Sequence, residues 1–269
     1  SPQGVLTSGI ELATLISSIG AEVTEIVINQ NVTVSNDTVV PSTLSINVIN
    51  GAIITVANTK TLTINGCITA NPNQIFNCIG TGAVVIEPKA VEAIYTEWFY
   101  SGTGDYGPAI TLACAAFRPA NAGGRIRFTK SRTIQSSVNM TALSSVIFEG
   151  LGSGVTGATT LTGEYDGVIF DCTKSYALKF RDFTVTGSTS TPPKVFWLFA
   201  RGVVDSDSGY HVFDCVDTGY HSRCSVAVVY SYSAELCTYL NCNWYNWIPT
   251  ARVYVNTWWV NGKFWWKPI

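Results

Sequence analysis

Hydrophobic and polar residues follow different patterns along the chain, and each pattern predicts a different element. In residues 9–19 the apolar side chains recur at helical intervals, which predicts a short N-terminal helix. From residue 22 to about residue 86, short β-branched runs alternate with Asn-Gly and Pro turn signals, which predicts a series of short strands. Residues 109–117 return to helical spacing behind Pro108, so we predict an interior helix with Asp105 or a neighbour as its cap.

Two of the strand runs in the N-terminal third match each other. One ends in Asn50-Gly51 and the other in Asn65-Gly66, so the same motif recurs after a short interval. Asn-Gly usually marks a tight hairpin. A strand followed by Asn-Gly at a repeated spacing is instead typical of a solenoid. We therefore interpret the interval from Asn50 to Asn65 as the length of one rung.

The second half contains a longer repeat, in which apolar residues are followed by Asp or Asn and then by an apolar residue or Cys. The shared polar position is filled by Asp182, Asp214 and Asn241. Strands that recur at such intervals without helices predict a parallel β-helix. We expect the polar residues to lie at turns and to bond neighbouring rungs. We expect three cysteines to lie in buried ladders: Cys172, Cys215 and Cys242.

The C-terminal segment is rich in tryptophan and predicts a β-hairpin. Residues 252–260 and 263–266 read as strands, and Asn261-Gly262 between them is a strong type I′ turn signal. We expect this hairpin to cap the open end of the solenoid or to form a subunit interface, with glycan contact as the alternative. Four side chains would do this: Trp258, Trp259, Trp265 and Trp266.

Composition and charge exclude several classes of function. Only 13% of the 269 residues are charged, about half the usual share, while 46% are hydrophobic. Lys and Arg number 16 against 18 Asp and Glu, and a net charge of −2 argues against a nucleic-acid-binding protein. No apolar run is long enough to insert into a membrane. The eight cysteines form no Cys-x-x-Cys pair and no zinc spacing, so we predict neither a metal site nor a cofactor.

Particular motifs resemble the pectate-lyase-like right-handed β-helix superfamily. Glu97-Trp98-Phe99, Gly104-Asp105, a short helix and Gly123-Gly124 resemble the segment that leads into its β-helix, and residues 148–154 resemble a Gly-rich turn after one of the first rungs. Tyr106-Gly107-Pro108 departs from the Asp-Asp-Thr that family members commonly carry before the helix.

The resemblance is strongest to phage tailspike-like proteins, through residues 44–76 and 210–247. It implies an all-β fold, a right-handed parallel β-helix (solenoid) with a short capping helix and a C-terminal β-hairpin. We expect three parts: an N-terminal helix with strand-rich first rungs (1–92), the pectate-lyase-like right-handed β-helix (93–248) and the Trp-rich hairpin (249–269).

The resemblance also implies a function. We expect a surface-polysaccharide-binding protein that is virion-associated or secreted and forms a homo-oligomer, with depolymerase activity (glycosidase or lyase) left open. The alternative is a non-catalytic structural β-helix protein that self-assembles into a fibre or surface layer.

Candidate site residues follow from the resemblance. Tailspike-like glycosidases use paired carboxylates, and the candidates outside the turn ladder are Asp205, Asp207, Asp217 and Glu235. A lyase would need clustered calcium-binding carboxylates with a basic residue beside them, and no such set stands out. Aromatic side chains that could serve as platforms for sugar rings are Trp244, Tyr245 and Trp247.

Overall fold

A computed structural model describes most of the chain up to residue 200 and shorter pieces beyond it. The described residues are 3–5, 11–20, 22, 24–117, 123–153, 157–200, 208–209, 212–217, 224, 226–232, 234–235, 238–240, 242–244 and 263–264. Beyond residue 199, side chains are described only for Val212, Phe213, Val216, Cys224, Val226, Val229, Leu240 and Cys242.

Among the described residues, the first part of the chain contains one helix and ten short strands. Their bounds are β1 (Gln3–Val5), α1 (Leu12–Ile19), β2 (Thr24–Ile28), β3 (Val32–Val34), β4 (Thr38–Val40), β5 (Leu44–Val48), β6 (Ile54–Val56), β7 (Thr61–Ile64), β8 (Ile68–Ala70), β9 (Phe76–Cys78) and β10 (Ala83–Ile86).

From β2 onward, successive strands of this part join three different sheets in turn. The sheets have the orders β1-β2-β5-β8, β3-β6-β9 and β4-β7-β10, and every strand pair is parallel. The chain thus returns to the same sheet every third strand. Parallel neighbours linked in this way are consistent with a β-solenoid.

The rung length predicted from the two Asn-Gly motifs is wrong. Ile46 pairs with Ile68, and the Asn31 side chain accepts a hydrogen bond from the Ile53 N–H in the next rung, so one turn takes 22 residues. The two motifs follow β5 and β7, which lie in different sheets. They mark two corners of the same rung rather than one corner of two rungs.

Side chains alternate between the interior and the surface along the strands of the first part, as the β-branched pattern predicts. In β2 and β5 the burial alternates without a break, with Ile26 and Ile46 inside. Val, Ile, Leu and Phe fill the interior in one continuous cluster from Leu12 to Cys242. Most threonines, serines and asparagines of the described strands face outward, which accounts for a surface that carries few charged residues.

Polar side chains at the corners hold neighbouring rungs together. Asp37 Oδ1 accepts a hydrogen bond from the Thr61 backbone N–H at 2.8 Å, and Asn58 Oδ1 accepts one from the Thr81 N–H at 3.0 Å. Each bond joins a corner to a residue 24 or 23 positions further along the chain, in the next rung. Asp and Asn therefore have the corner role that the sequence predicts, although at other positions.

The second part contains two 3₁₀ turns, one helix and further strands. The bounds are Pro88–Ala90 and Thr96–Phe99 for the 3₁₀ turns, α2 (Gly107–Phe117), β11 (Ile94–Tyr95), β12 (Gly124–Arg127), β13 (Arg132–Ile134), β14 (Val138–Asn139), β15 (Val146–Glu149), β16 (Thr160–Gly163), β17 (Val168–Asp171), β18 (Lys179–Gly187), β19 (Val195–Ala200), β20 (Ser208–Gly209), β21 (Val212–Asp217), β22 (Ala227–Tyr232), β23 (Ala234–Glu235), β24 (Thr238–Leu240), β25 (Asn243–Trp244) and β26 (Lys263–Phe264).

The described strands of this part form one large sheet and two smaller ones, again with parallel pairs. The large sheet follows the order β11-β12-β15-β18-β21-β25-β26, with β13, β16 and β24 beside that path. A second sheet has the order β14-β17-β19-β22, and β20 pairs with β23. The long strand β18 pairs with β15 through its first half and with β16 through its second half.

Both predicted α-helices are confirmed. Leu12 of α1 is fully buried, and Leu15, Ile16 and Ile19 pack against the core beside it. The α2 helix begins at Gly107, whose N–H donates to Asp105 Oδ1 at 2.8 Å. Neither described α-helix, at 8 and 11 residues, has the length or the apolar run needed to span a bilayer.

Trp98 joins the first rungs to the second part of the chain. Its side chain is 1% exposed, and its Nε1–H donates to the Asn71 carbonyl at 3.0 Å. Its own carbonyl accepts a hydrogen bond from the Ile75 N–H at 3.0 Å. The Glu97-Trp98-Phe99 motif therefore has a structural role at this junction.

Glu97 is buried in the same junction and is satisfied by hydrogen bonds. Its Oε1 accepts from the Tyr106 hydroxyl and from the Thr129 N–H, each at 3.1 Å. Tyr106 is fully buried and its hydroxyl also contacts the Thr96 hydroxyl. Burial, with the Glu97 carboxylate beside it, raises the pKa of Tyr106 far above its ordinary value.

The sequence alignment that matches Asp182 with Asp214 and Asn241 is off by one residue between each pair of neighbouring strands. Arg181, not Asp182, pairs with Asp214, and Asp214 pairs with Leu240 rather than Asn241. Asp182 has φ +58° and lies where β18 passes from its β15-facing half to its β16-facing half. Asp182 therefore does lie at a bend, within a strand that continues on both sides. Asp214 lies inside β21, so its predicted position at a turn is wrong, and Asn241 lies outside the described residues.

The predicted burial of the cysteines is confirmed for Cys172 and Cys242, whereas Cys215 lies outside the residues whose side chains are described. The two cysteines do not share a ladder, because they lie beside strands of different sheets. Cys172 follows β17 in the second sheet and lies against Met140, with 3.8 Å between the two sulfurs, while Cys242 lies beside β25 in the large sheet.

Candidate functional site

Three strands of the large sheet present charged side chains on their outer face. Ile126, Phe148 and Phe180 point inward, and the Phe148 and Phe180 rings stack at 5.2 Å between centroids. Because side chains alternate along a strand, the residues on either side of each inward residue face outward. The outward positions of this face are Arg125 and Arg127 of β12, Ile147 and Glu149 of β15, and Lys179 and Arg181 of β18.

The strand register brings three of these residues into one row. Arg127 pairs with Glu149, and Glu149 pairs with Arg181, so the carboxylate lies between two guanidinium groups. Adjacent strands are about 4.8 Å apart, which lets both arginines reach it. We call Arg125, Arg127, Arg181 and Glu149 the Arg–Glu149 cluster.

Each oxygen of Glu149 is bound by one guanidinium. Arg127 places Nε 2.7 Å and Nη2 2.6 Å from Oε1, while Arg181 places Nε 3.1 Å and Nη2 2.5 Å from Oε2. Arg125 is further away, with Nε 3.6 Å from Oε2. Two-point contacts between arginine and carboxylate are strong and fix the orientation of the guanidinium plane.

The arginines cover Glu149 but remain partly open to solvent. The Glu149 side chain is only 5% exposed, whereas the side chains of Arg125, Arg127 and Arg181 are 32%, 22% and 30% exposed. An outward-facing carboxylate is thus buried by the very groups that neutralise it. Arg127 also contacts two residues outside the cluster, with Nη1 donating to the Tyr95 hydroxyl at 3.5 Å and Nη2 donating to Glu92 Oε1 at 3.4 Å.

Glu149 stays ionised. Burial alone would raise its pKa, but hydrogen bonds from Arg181 and Arg127, with the nearby charges of Arg127 and Arg125, outweigh burial and hold the pKa below its usual value. Burial works against the charged form of Arg127 as well, and its hydrogen bonds to Glu149 nevertheless raise the pKa of Arg127. The cluster therefore holds one permanent negative charge among three positive ones.

Three neighbours border the cluster. The Tyr95 ring lies 5.8 Å from the Arg127 guanidinium carbon. Glu92 is 79% exposed, and its Oε1 lies 3.4 Å from Arg127 Nη2 and 3.8 Å from Arg125 Nη1. On the opposite side, Asp182 Oδ2 lies 3.7 Å from Arg181 Nε.

Gly150 explains why the Gly-rich turn follows Glu149 directly. A Cβ at this position would lie 2.4 Å from the Asp182 carbonyl oxygen and 2.7 Å from Phe183 Cβ. Only glycine lets the chain leave β15 so close to the bend in β18. The Gly-rich segment that resembles a superfamily turn thereby positions Glu149 against Arg181.

A second polar group lies past that bend. Glu164 accepts hydrogen bonds from Gln135 Nε2 at 2.8 Å and from the hydroxyls of Ser188 and Ser190 at 3.2 and 3.1 Å. The hydrogen bonds from Gln135, Ser190 and Ser188 lower the pKa of Glu164. Like Glu149, this carboxylate is an acceptor and not a proton donor.

Within the described part of the chain, no three His, Cys, Asp or Glu side chains converge as metal ligands. No family model, curated protein or solved structure matches this chain. The site is therefore interpreted from its own chemistry.

Most candidate residues predicted from the sequence fall outside the described part of the chain. For three of the candidates the backbone is described but the side chain is not: Asp217, Glu235 and Trp244. The others lie outside the described residues altogether: Asp205, Asp207, Tyr245, Trp247, Trp258, Trp259, Trp265 and Trp266. Their roles stay predictions.

The described backbone places two of the carboxylate candidates in different sheets. Asp217 ends β21, where it pairs with Thr184 and Asn243 in the large sheet. Glu235 pairs with Gly209 in the two-stranded sheet. Of the predicted hairpin, only β26 lies among the described residues, and it pairs in parallel with β25.

The Arg–Glu149 cluster is the functional candidate that sequence reasoning did not identify. The alternation Arg125-Ile126-Arg127 was a detectable sign of a strand with a charged outer face. Glu149 lies 22 residues after Arg127 and 32 residues before Arg181, and these unequal intervals hide the row in the sequence.

Proposed function

We propose that the protein is a right-handed parallel β-helix of the tailspike-like kind and that it binds a surface polysaccharide on the outer face of β12, β15 and β18. The parallel sheets and the solenoid-like order of the strands support the architecture. A sheet with strands about 4.8 Å apart offers a regular row of side chains to an extended polymer. In this proposal the protein acts outside the cell or on a virion, as a homo-oligomer.

The observation that carries the proposal is the Arg–Glu149 cluster. Glu149 fixes Arg127 and Arg181 by two contacts each, so their remaining donors are oriented before any ligand arrives. Binding to donors that are already ordered avoids the entropy cost of immobilising flexible side chains. Guanidinium groups present several donors in one plane, which suits the hydroxyl, ring-oxygen and acidic groups of sugars.

The cluster supports binding rather than cleavage. Glycosidases need a carboxylic acid whose pKa is raised so that it can protonate the leaving group. Both described carboxylates that have a shifted pKa, Glu149 and Glu164, are shifted downward. Depolymerase activity would require other carboxylates, and Asp217 and Glu235 remain the candidates for which the backbone is described.

A polysaccharide array tests the proposal. We expect the wild-type protein to bind a subset of capsular polysaccharides and lipopolysaccharides, and Arg125→Gln to weaken that binding at least tenfold. Lys194→Gln is the matched control, because it removes one positive charge from an exposed pair with Asp166, 3.5 Å apart, before β19 in another sheet. Failure to bind any polysaccharide, or equal loss in both variants, would overturn the proposal. A reducing-end assay on the bound polysaccharides tests cleavage separately.

A further inference from the structure

Glu92 has an unusual position for an exposed acidic residue. It lies between the Pro88–Ala90 turn and β11, its side chain is 79% exposed, and one of its oxygens faces both Arg125 and Arg127. The distances, 3.8 and 3.4 Å, are longer than those of Glu149. The Glu92 carboxylate thus contacts two arginines of the cluster while staying largely exposed to solvent.

The carboxylates of Glu149 and Glu92 therefore differ in how strongly the arginines hold them. Glu149 is buried and bound at both oxygens, whereas Glu92 makes exposed contacts through one oxygen. Exposed ion pairs contribute about 0–1 kcal/mol and are screened by salt. An anion that brings further contacts of its own can replace Glu92 but not Glu149.

The distribution of charge shows where such an anion would bind. Asp182 lies against Arg181, so Arg181 has a second acidic partner besides Glu149. Arg125 and Arg127 share Glu149 with Arg181, and their other acidic neighbour among the described residues is Glu92. When Glu92 moves away, the uncompensated positive charge lies at Arg125 and Arg127.

We propose that Arg125 and Arg127 form a subsite for the acidic group, carboxylate or sulfate, of a charged sugar unit, and that Glu92 occupies this subsite until the ligand displaces it. Tyr95 supports the subsite, because its hydroxyl lies 3.5 Å from Arg127 Nη1 and its ring lies beside the guanidinium. This inference rests on the proposed function and names the class of saccharide that the same site binds.

Binding measurements with three defined polymers test the inference. Hyaluronan oligosaccharides carry carboxylates, dextran sulfate carries sulfates, and unmodified dextran is the neutral control. We expect one or both acidic polymers to bind more tightly than dextran, with an affinity that falls as salt is added. Whichever acidic polymer binds identifies the source of the acidic group.

Two variants should act in opposite directions. Glu92→Gln removes the competing carboxylate and should tighten acidic-polymer binding about two- to fivefold, the range set by a weak exposed ion pair. Arg125→Gln should weaken it at least tenfold. The matched controls are Asp166→Asn and Lys194→Gln, which remove the same charges from the exposed pair in the other sheet and should change affinity less than twofold.

The outcomes separate this inference from the proposed function. If the array detects bound polysaccharides but Glu92→Gln leaves acidic binding unchanged or weaker, the subsite is wrong and the proposed function stands. A different result is that no capsular polysaccharide or lipopolysaccharide on the array binds, while the acidic polymers bind and the variants act as expected. The acidic subsite is then supported and the proposed function is wrong. Urea unfolding of both variants, expected to match the wild type closely, excludes a folding defect as the cause.

Discussion

Arg127 and Glu149 are paired across β12 and β15, where Arg127 Nε donates a hydrogen bond to Oε1 at 2.7 Å and Nη2 forms an ion pair with the same oxygen at 2.6 Å. The other oxygen is bound in the same way by Arg181 from the next strand. The carboxylate thereby joins three consecutive strands of the large sheet. The same contacts hold the arginines in place for a ligand and stabilise the stack of these three strands.

Glu149→Gln should destabilise the fold by about 2 kcal/mol at neutral pH, because it leaves three guanidinium groups without their buried counter-ion. Removing one partner of a fully buried pair costs about 3–5 kcal/mol, and we reduce that figure because the arginines remain partly exposed. Urea denaturation at pH 7 measures the difference.

The same substitution gives a pH test. The folded-state pKa of Glu149 lies below its unfolded value, so its stabilisation is complete above the unfolded pKa of about 4.3 and is lost as pH falls through the folded pKa. The gap between wild type and Glu149→Gln should therefore narrow between pH 5 and pH 2. A gap that stays constant over that range would show that the carboxylate charge is not what stabilises the stack. Asp166→Asn, in an exposed pair, is the control and should change the midpoint little.

Sequence patterns predicted the elements of this fold better than their arrangement. Alternating or helically spaced apolar residues can be recognised from residues close together in sequence. The strands of the first rungs and both helices could therefore be predicted. The length of a rung depends on which strands pair across a long connection. The Asn-Gly motifs ending at Gly51 and Gly66 matched because two corners of one rung have similar sequences, and a local pattern cannot separate that case from two successive rungs.

The candidate site, like the rung length, could not be predicted from a local sequence pattern. Arg127, Glu149 and Arg181 meet only because two rungs of 22 and 32 residues place them in one row. Each residue taken alone is an ordinary charged residue on the outer face of a strand. The burial of Glu149 results from arginines that are distant in sequence, so neither its burial nor its lowered pKa has a local signal.

Gly66→Ala should strongly destabilise the first rungs, by about 3 kcal/mol or more. A Cβ at Gly66 would lie 1.7 Å from the Leu44 carbonyl oxygen and 2.7 Å from that of Pro41, and both atoms belong to backbone that cannot move aside easily. Gly51→Asn is the matched control in the sister Asn-Gly motif. Gly51 has φ +72° and open space around it, and Asn tolerates that conformation. Thermal melting that ranks Gly51→Asn as the more damaging change would contradict this account of the two corners.

Asn58→Ala should cost about 1 kcal/mol, because the Thr81 N–H and hydroxyl both donate to Asn58 Oδ1, at 3.0 and 3.2 Å. The loss should be local to the corner, so amide exchange of Thr81 should accelerate more than that of buried strand residues such as Ile64. Asn36→Ala, at an exposed corner position, is the comparison and should leave exchange at Thr81 unchanged. Equal acceleration throughout the rung would mean that Asn58 acts on global stability rather than on the corner.

Tyr106→Phe should lower stability at neutral pH by about 1 kcal/mol, because Glu97 loses the hydroxyl donor at 3.1 Å while keeping the Thr129 N–H. The difference should change sign with alkali. Burial, and then the Glu97 charge, raise the folded-state pKa of Tyr106, so its contribution is complete below the unfolded pKa of about 10 and is lost as pH rises above that value.

Phenylalanine cannot ionise, so the Tyr106→Phe variant should resist alkaline unfolding better than the wild type once the pH exceeds about 10. Denaturant midpoints measured from pH 7 to pH 12 should show the two curves approaching and then crossing. Tyr165→Phe, a change at an exposed tyrosine, controls for the loss of one phenol and should leave neutral-pH stability unchanged. If Tyr106→Phe instead stays less stable than the wild type by the same margin at every pH, the buried hydroxyl contributes a hydrogen bond to the junction but its pKa is not raised by folding. The linkage argued for Tyr106 and Glu97 is then wrong.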